Sequence, residues 1–161
     1  IRDKLVTGVQ TCALPISYKT TTTSSNTNAT YTSVAELTTV SLPVGLYFFK
    51  FVGLMQSGVT TSGVGVRIVN GTSVVSTCNA KWVIAQGANG AVNMSFEYDQ
   101  LATTTNLVSA SVQTANTTFN VTGMGLFRVT TAGTVAIQIR SEVNANSASL
   151  LADSSLIVEL V

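Results

Sequence analysis

The sequence predicts an all-β chain, an antiparallel β-sandwich or jelly roll of about eight to ten strands. Three observations lead there. Long segments alternate apolar and polar residues with a period of two, as in GTVAIQIRSEV (Gly133 to Val143), where Val135, Ile137 and Ile139 interleave with Ala136, Gln138 and Arg140. The composition is rich in Thr, Ser and Val and only 9% charged, and β-branched side chains suit a pleated surface better than a helix. Glycine, proline and Asn-Gly signals separate the alternating segments, and none of them carries the 3.6-residue period of an amphipathic helix.

The chain opens on IRDKLVTGVQTCALPI (Ile1 to Ile16), which resembles translated sequencing-library adapter. Val6 to Ile16 match the bases beside an insert, Ile1 to Asp3 match those preceding a barcode, and Lys4 and Leu5 stand where a six-base barcode would be read. Thr7, Gly8, Gln10 and Thr11 break the apolar run, so it has no signal-peptide core. Residues 1–16 are therefore expected to be foreign, with the natural polypeptide continuing upstream. Arg2, Asp3, Lys4, Cys12 and Pro15 fall in this run. What remains holds six basic and six acidic residues, a net charge of zero rather than the +1 of the whole chain. That balance argues against a nucleic-acid partner. One cysteine, Cys78, remains, too few for an intrachain disulfide or a thiolate metal cluster. No apolar run reaches the ~18 residues of a membrane-spanning helix, so no membrane insertion is expected.

Residues 17–33 are polar and of low complexity and read as a linker or the end of a stalk giving way to strand near Thr30, or as an extended edge strand. Residues 34–161 form the expected sandwich domain. Val34 to Leu42 is a strand, and Pro43-Val44-Gly45 a turn. Leu46 to Ser57 is the strongest strand: Tyr47, Phe49, Phe51 and Met55 share one face, and Phe48, Lys50, Val52 and Leu54 the other. Two largely apolar faces mark a central strand, or one whose second face meets another subunit. Gly63 to Gly71 is a strand closed by Asn70-Gly71, a pair suited to a tight hairpin. Ser73 to Cys78 and Ala80 to Gln86 continue the antiparallel pattern up to the glycine-rich Gly87 to Gly90. Ala91 to Leu101 alternates again, Ala102 to Ala115 reads as loop with a short strand, and Thr117 to Thr130 is a long strand whose glycines suggest bulges or bends. Ser149 to Val161 closes the chain with Leu156, Val158 and Leu160 on one face.

Three stretches, LPVGLYFFKFVGLMQSGVTTSGVGVRI, NVTGMGLFRVTTAGTVAIQIRSE and LLADSSLIVEL, resemble the C-terminal domains of bacteriophage tail-fibre and related virion structural proteins. The landmarks are Gly45, Tyr47, Gln56, Ser57, Gly133, Thr134, Ser141, Glu142, Ser155 and Leu156, over roughly Leu42 to Val161. The layout is also similar to the trimeric jelly rolls of the C1q and tumour-necrosis-factor type. The resemblance implies a homotrimer at the tip or along the shaft of a fibre, joined to an upstream stalk segment. Phe48, Val52, Leu54, Arg140 and Glu142 are the expected subunit-contact residues, the last two as an inter-subunit ion pair.

Little points to an enzyme. No histidine occurs, which removes the commonest general base near neutral pH and the commonest metal ligand. No Gly-x-Ser-x-Gly elbow appears. Glu97 and Asp99 would share a strand face, where a solvated surface is the simpler reading than a glycosidase or calcium pair. No cofactor motif is present. Trp82, Tyr98 and Tyr31 are the candidates for a sugar-binding platform, with burial in the sandwich the simpler reading for Trp82. The sequence thus leads to a non-enzymatic virion module that trimerises and contacts a host-surface glycan or protein. The alternative is a cell-surface or secreted sandwich that binds carbohydrate or protein.

Overall fold

The computed structural model describes residues 16–25, 30–85, 93–98 and 114–161, with the side chains of 23–25, 85 and 93–98 excepted. They form eleven strands and no helix, arranged as two antiparallel sheets packed as a sandwich. The large sheet has the order β1(Ile16–Tyr18)-β11(Ser155–Leu160)-β4(Gly45–Ser57)-β8(Phe119–Thr131)-β6(Val74–Ala85)-β7(Asn93–Tyr98), with β10(Ala148–Leu150) beside β4 and β2(Thr23–Ser25) beside β10. The small sheet is β3(Thr32–Thr38)-β9(Val135–Ser141)-β5(Val64–Asn70). Pairs β1/β11, β3/β9 and β4/β8 are nested in the sequence, as when a long hairpin is rolled into two sheets, which is the jelly-roll arrangement. The adapter-like residues 1–15, the glycine-rich Gly87 to Gly90, Asp99 and the segment 102–113 lie outside the described residues.

The alternation read from the sequence becomes the core. On β4, Tyr47, Phe49, Phe51 and Met55 are buried, as are Val135, Ile137 and Ile139 on β9 and Leu156 and Val158 on β11. Phe49 and Phe51 lie 6.0 and 5.6 Å, centroid to centroid, from Trp82 of β6, and Tyr47 stacks on Phe127 of β8 at 5.6 Å. The Tyr47 hydroxyl donates to the Pro43 carbonyl at 2.9 Å, so the ring that fills the core also sets the turn into β4.

Three elements differ from the sequence reading. Asn70-Gly71 does not close a hairpin: β5 belongs to the small sheet and β6 to the large one, because β6 pairs with β8 and β7. The two segments expected at Ser73 to Cys78 and from Ala80 onward are one strand, Val74–Ala85, with register shifts between Val74 and Thr77. The glycines of β8 mark no bulge, since β8 keeps an unbroken register with β4. They make room instead: a Cβ at Gly123 would meet the Trp82 ring at 2.5 Å, and one at Gly125 would meet the Asn79 carbonyl oxygen at 2.1 Å.

Within residues 17–33 the described residues follow the extended-strand alternative at Ser17 to Tyr18 and at Thr23 to Ser25. Their polar side chains gave little reason to expect pairing, but ladder hydrogen bonds are made by the backbone. β1 lies along β11 and β2 along β10. Ile16 takes part through its backbone while its side chain is exposed, so pairing there does not depend on which residue occupies the position. Between the two strands the Lys19 amide donates to the Ser154 carbonyl and its own carbonyl accepts from Asp153, each at 2.8 Å. Its side chain, 1% exposed, ends on the Glu36 carboxylate at 2.9 Å, which also accepts from the Thr20 hydroxyl. A strap on the large sheet is thereby fastened to β3 of the small one.

The Lys19 hydrogen bond, then the Thr20 hydroxyl, hold Glu36 down from 4.5 to about 2. A lowered carboxylate stabilises the fold above its unfolded value and loses that contribution as the pH falls through its folded one. Strap protection is therefore expected to weaken between about pH 4.5 and 2. Glu36→Gln should leave it weak at every pH, whereas Lys19→Met, which buries an apolar stem and no charge, should keep the strap in place. Hydrogen exchange at residues 17–22 reads all three.

Candidate functional site

The residues expected to carry function fall into three separate places. Trp82 is in the core, 0% exposed between Phe49 and Phe51 and against Gly123. Burial, the simpler of the two readings of Trp82, is what the structure shows, and the ring is closed to a sugar in the folded domain. Tyr98 is the last residue of β7, opposite Ala80, and its side chain lies outside the described residues.

Tyr31 stands just before β3 and is half-buried. The Arg67 guanidinium lies 4.0 Å from its ring centroid and that of Arg140 5.1 Å, both within cation–π range. Register explains the cluster. Arg67 of β5, Gln138 of β9 and Ser33 of β3 stand in one row on the outer face of the small sheet. Arg67 Nε donates to Gln138 Oε1 at 2.9 Å, and Gln138 Nε2 donates to Ser33 Oγ at 3.0 Å. The Tyr31 ring is thus engaged by two cations of its own chain, which corrects the expectation of an open sugar platform.

Arg140 and Glu142, the expected inter-subunit pair, each meet groups of their own chain. Arg140 is 8% exposed beside Tyr31, and Glu142 lies past the end of β9, where its Oε2 accepts from the Gly63 amide at 2.8 Å. Both have partners within the chain, so no subunit contact is needed to explain them. Glu142 belongs to a network that unites landmarks of the family resemblance. Ser57 Oγ donates to the carbonyls of Ser62 and Val59 at 2.7 and 2.9 Å, and the hydroxyls of Ser62 and Ser141 are 2.9 Å apart. Ser57, Ser62 and Ser141 are fully buried. At the other end of the sandwich, a Cβ at Gly133 would meet the Ser73 amide nitrogen at 2.4 Å, and the Thr134 carbonyl accepts from Gly71 and Ser73. Ser57, Ser141, Glu142 and Thr134 thus tie strand ends to neighbouring connections. Ser62→Ala is expected to cost about 1–3 kcal/mol, because buried partners lose their hydrogen bond, measurable by urea denaturation.

Phe48, Val52 and Leu54 are where the sequence placed them, on the β4 face opposite the core. Register builds a surface around them. Phe48 pairs with Leu126 of β8, Lys50 with Met124 of β8 and Ile157 of β11, and Ile157 with Ile16 of β1; Val52 pairs with Thr122 and with Ser155, itself opposite Tyr18. Met124, Leu126, Ile16, Tyr18 and Val52 are exposed, and Phe48, Leu54 and Ile157 half-buried. Met124 and Leu126 were missed by the sequence reading, although their alternation with Val121 and Phe127 in a strand already assigned carried the signal. Charges of both signs stand among them: Lys50 beside Met124, Lys81 opposite Met124, and Glu159 opposite Phe48. These apolar side chains, exposed on β1, β4 and β8 and half-buried on β4 and β11, lie on one face of the large sheet.

Nucleophilic or metal chemistry finds little support in these residues. Burial pushes the Cys78 thiol up to about 12, far from the thiolate form that reacts. Among the described residues no group of three His, Cys, Asp or Glu could hold a metal ion. No protein-family model, curated protein or solved structure matches this chain.

Proposed function

We propose that this domain is a non-enzymatic structural module of a virion, in a tail fibre or tail tip, assembled as a homotrimer through the outer face of its large sheet. The carrying observation is that face: Phe48, Val52, Leu54, Met124, Leu126 and Ile157 form an apolar surface on the side of β4 away from the core. Identical copies are its occupants. A partner recognised by charge would meet a face of one sign, whereas Lys50, Lys81 and Glu159 supply both, so that opposite charges can meet where copies turn about a three-fold axis. The jelly-roll nesting of the strands and the sequence resemblance to fibre domains support the same reading. The burial of Trp82 and the engagement of Tyr31 weigh against the carbohydrate-binding alternative.

An antibody raised against the chain tests the location. Labelling of purified virus particles is expected, and labelling confined to cell envelopes or secreted material overturns the virion assignment.

A further inference from the structure

Asn70-Gly71 has hairpin chemistry, yet the fold uses it elsewhere: it is where the chain leaves β5 in the small sheet for β6 in the large one. Asn70 is the last residue of β5 and pairs with Val135 of β9. The three residues that follow are laced to Thr134. The Gly71 amide donates to the Thr134 carbonyl at 2.9 Å, and the Ser73 hydroxyl donates to the same carbonyl at 2.8 Å. The Thr72 amide donates to Thr134 Oγ1 at 3.1 Å, and the Thr134 amide to Thr72 Oγ1 at 3.0 Å. A Cβ on Gly71 would collide with Thr134 Oγ1, so glycine is what lets the two segments lie this close.

Asparagine followed by glycine is also a reactive pair. The Gly71 nitrogen, after losing its proton, attacks the carbonyl carbon of the Asn70 side chain. A new C–N bond forms, the bond to the side-chain nitrogen breaks, and ammonia leaves with the proton, which closes a five-membered succinimide. Water then opens either of its two carbonyls and leaves aspartate or isoaspartate. The reaction needs no oxidant and no partner beyond water, and a following glycine obstructs the ring closure least because it has no side chain.

The fold opposes each requirement. The nitrogen that must attack is engaged through its N–H by Thr134, and pairing with Val135 keeps Asn70 extended. Ring closure has to turn that peptide group onto the side chain, so the connection must open first. The products do not fit back. Asn70 Oδ1 is buried and meets no hydrogen-bond donor among the described residues, a position where a carboxylate is charged and unpaired. Isoaspartate also adds an atom to the backbone between residues 70 and 71 and displaces Gly71 from Thr134.

We propose that Asn70-Gly71 is a latent deamidation site, kept unreactive by the lacing of residues 71–73 to Thr134, at which opening of the β5–β6 connection leads to a covalent change that holds the connection open. The inference stands on the geometry of this connection and is independent of the virion assignment.

Incubation of the 161-residue chain at neutral pH, with and without urea, followed by peptide mass spectrometry of residue 70, tests it. In urea, Asn70 is expected to convert as fast as Asn89 of Asn89-Gly90, the other Asn-Gly pair of the chain. Without urea, conversion at Asn70 is expected to be slower by about tenfold or more. That factor should match, within about threefold, the slowing of amide exchange at Gly71, since both reactions need the same N–H released. Thr134→Val keeps the carbonyl and removes the hydroxyl bonded to Thr72, and is expected to speed both reactions together. If that variant does not fold, Thr72→Val removes the same hydroxyl contacts from the other side. In chains already converted at residue 70, the Ser73 amide is expected to exchange faster than in unconverted ones. Equal conversion with and without urea overturns the proposal, as does slow conversion at Asn70 in urea. A variant in which Gly71 exchange quickens and conversion does not overturns it too, and unchanged Ser73 exchange after conversion removes the claim that the connection stays open.

Discussion

Trp82→Ala is expected to destabilise the domain by about 3–5 kcal/mol, the range for removing a large aromatic side chain from a packed core. Few positions should cost more. The indole is fully buried, tilted against Phe49 and Phe51, and Gly123 faces it with no side chain of its own. Truncation leaves a cavity that two rigid strands cannot collapse, since β4 and β8 are held by pairing along eleven successive positions. Against a typical domain stability of about 5–15 kcal/mol, the variant would be marginal or unfolded at room temperature. Urea denaturation followed by circular dichroism measures the loss. A tryptophan on a ligand surface behaves in the opposite way: its removal spares the fold and abolishes binding. A variant of unchanged stability would therefore contradict the assignment of Trp82 to the core.

The second large effect is on assembly. Met124→Glu together with Leu126→Glu places two carboxylates on the outer face of the large sheet, where both native side chains are 42–47% exposed in the single chain. Exposed positions tolerate charge, so the melting of an isolated chain should change little. In a trimer each subunit would bury these carboxylates against its neighbour. The one at 124 stands between Lys50 and Lys81, whereas the one at 126, between Phe48 and Asn79, has no cation opposite it. An unpaired buried charge costs about 2–5 kcal/mol in binding. The dissociation constant should rise by about thirtyfold or more. Sedimentation velocity would show the variant as monomer at concentrations where the parent is assembled. A variant that stays assembled would place the subunit contact elsewhere.

The fold was legible where a physical rule has a visible period. Tyr47, Phe49, Phe51 and Met55 announce the inner face of β4, and Val135, Ile137 and Ile139 that of β9, because a strand in a sandwich has one face in the core. What escaped was set by contacts distant in sequence. Asn70-Gly71 has hairpin chemistry, yet pairing of β6 with β8 carries the chain to the other sheet. Gly123 and Gly125 look like bulge signals, and only the positions of Trp82 and Asn79 reveal them as clearance. Ser17 to Tyr18 pair through backbone, which no side-chain pattern reports.

The candidate sites divide along the same line. Phe48, Val52 and Leu54 were assigned to the outer face of β4 by alternation alone, and they lie there. Tyr31 was judged by residue type, and Arg140 and Glu142 by projecting on the same side of their strand, neither of which reports neighbours from other elements. Tyr31 is met by Arg67 from two strands away, and Glu142 by the Gly63 amide across the β4–β5 loop. Gln56-Ser57, Ser141-Glu142 and Gly133-Thr134, which carry the family resemblance, bind loop to loop. A sequence resemblance built on them speaks for the fold before it speaks for a ligand.

The central claim is that the outer face of the large sheet joins identical copies. Light scattering coupled to size exclusion, on the 161-residue chain at micromolar concentration, addresses it directly. A mass three times that of the chain is the predicted result. A monomeric mass across the accessible concentration range would contradict the account and leave Phe48, Val52, Leu54, Met124 and Leu126 as apolar surface without a partner.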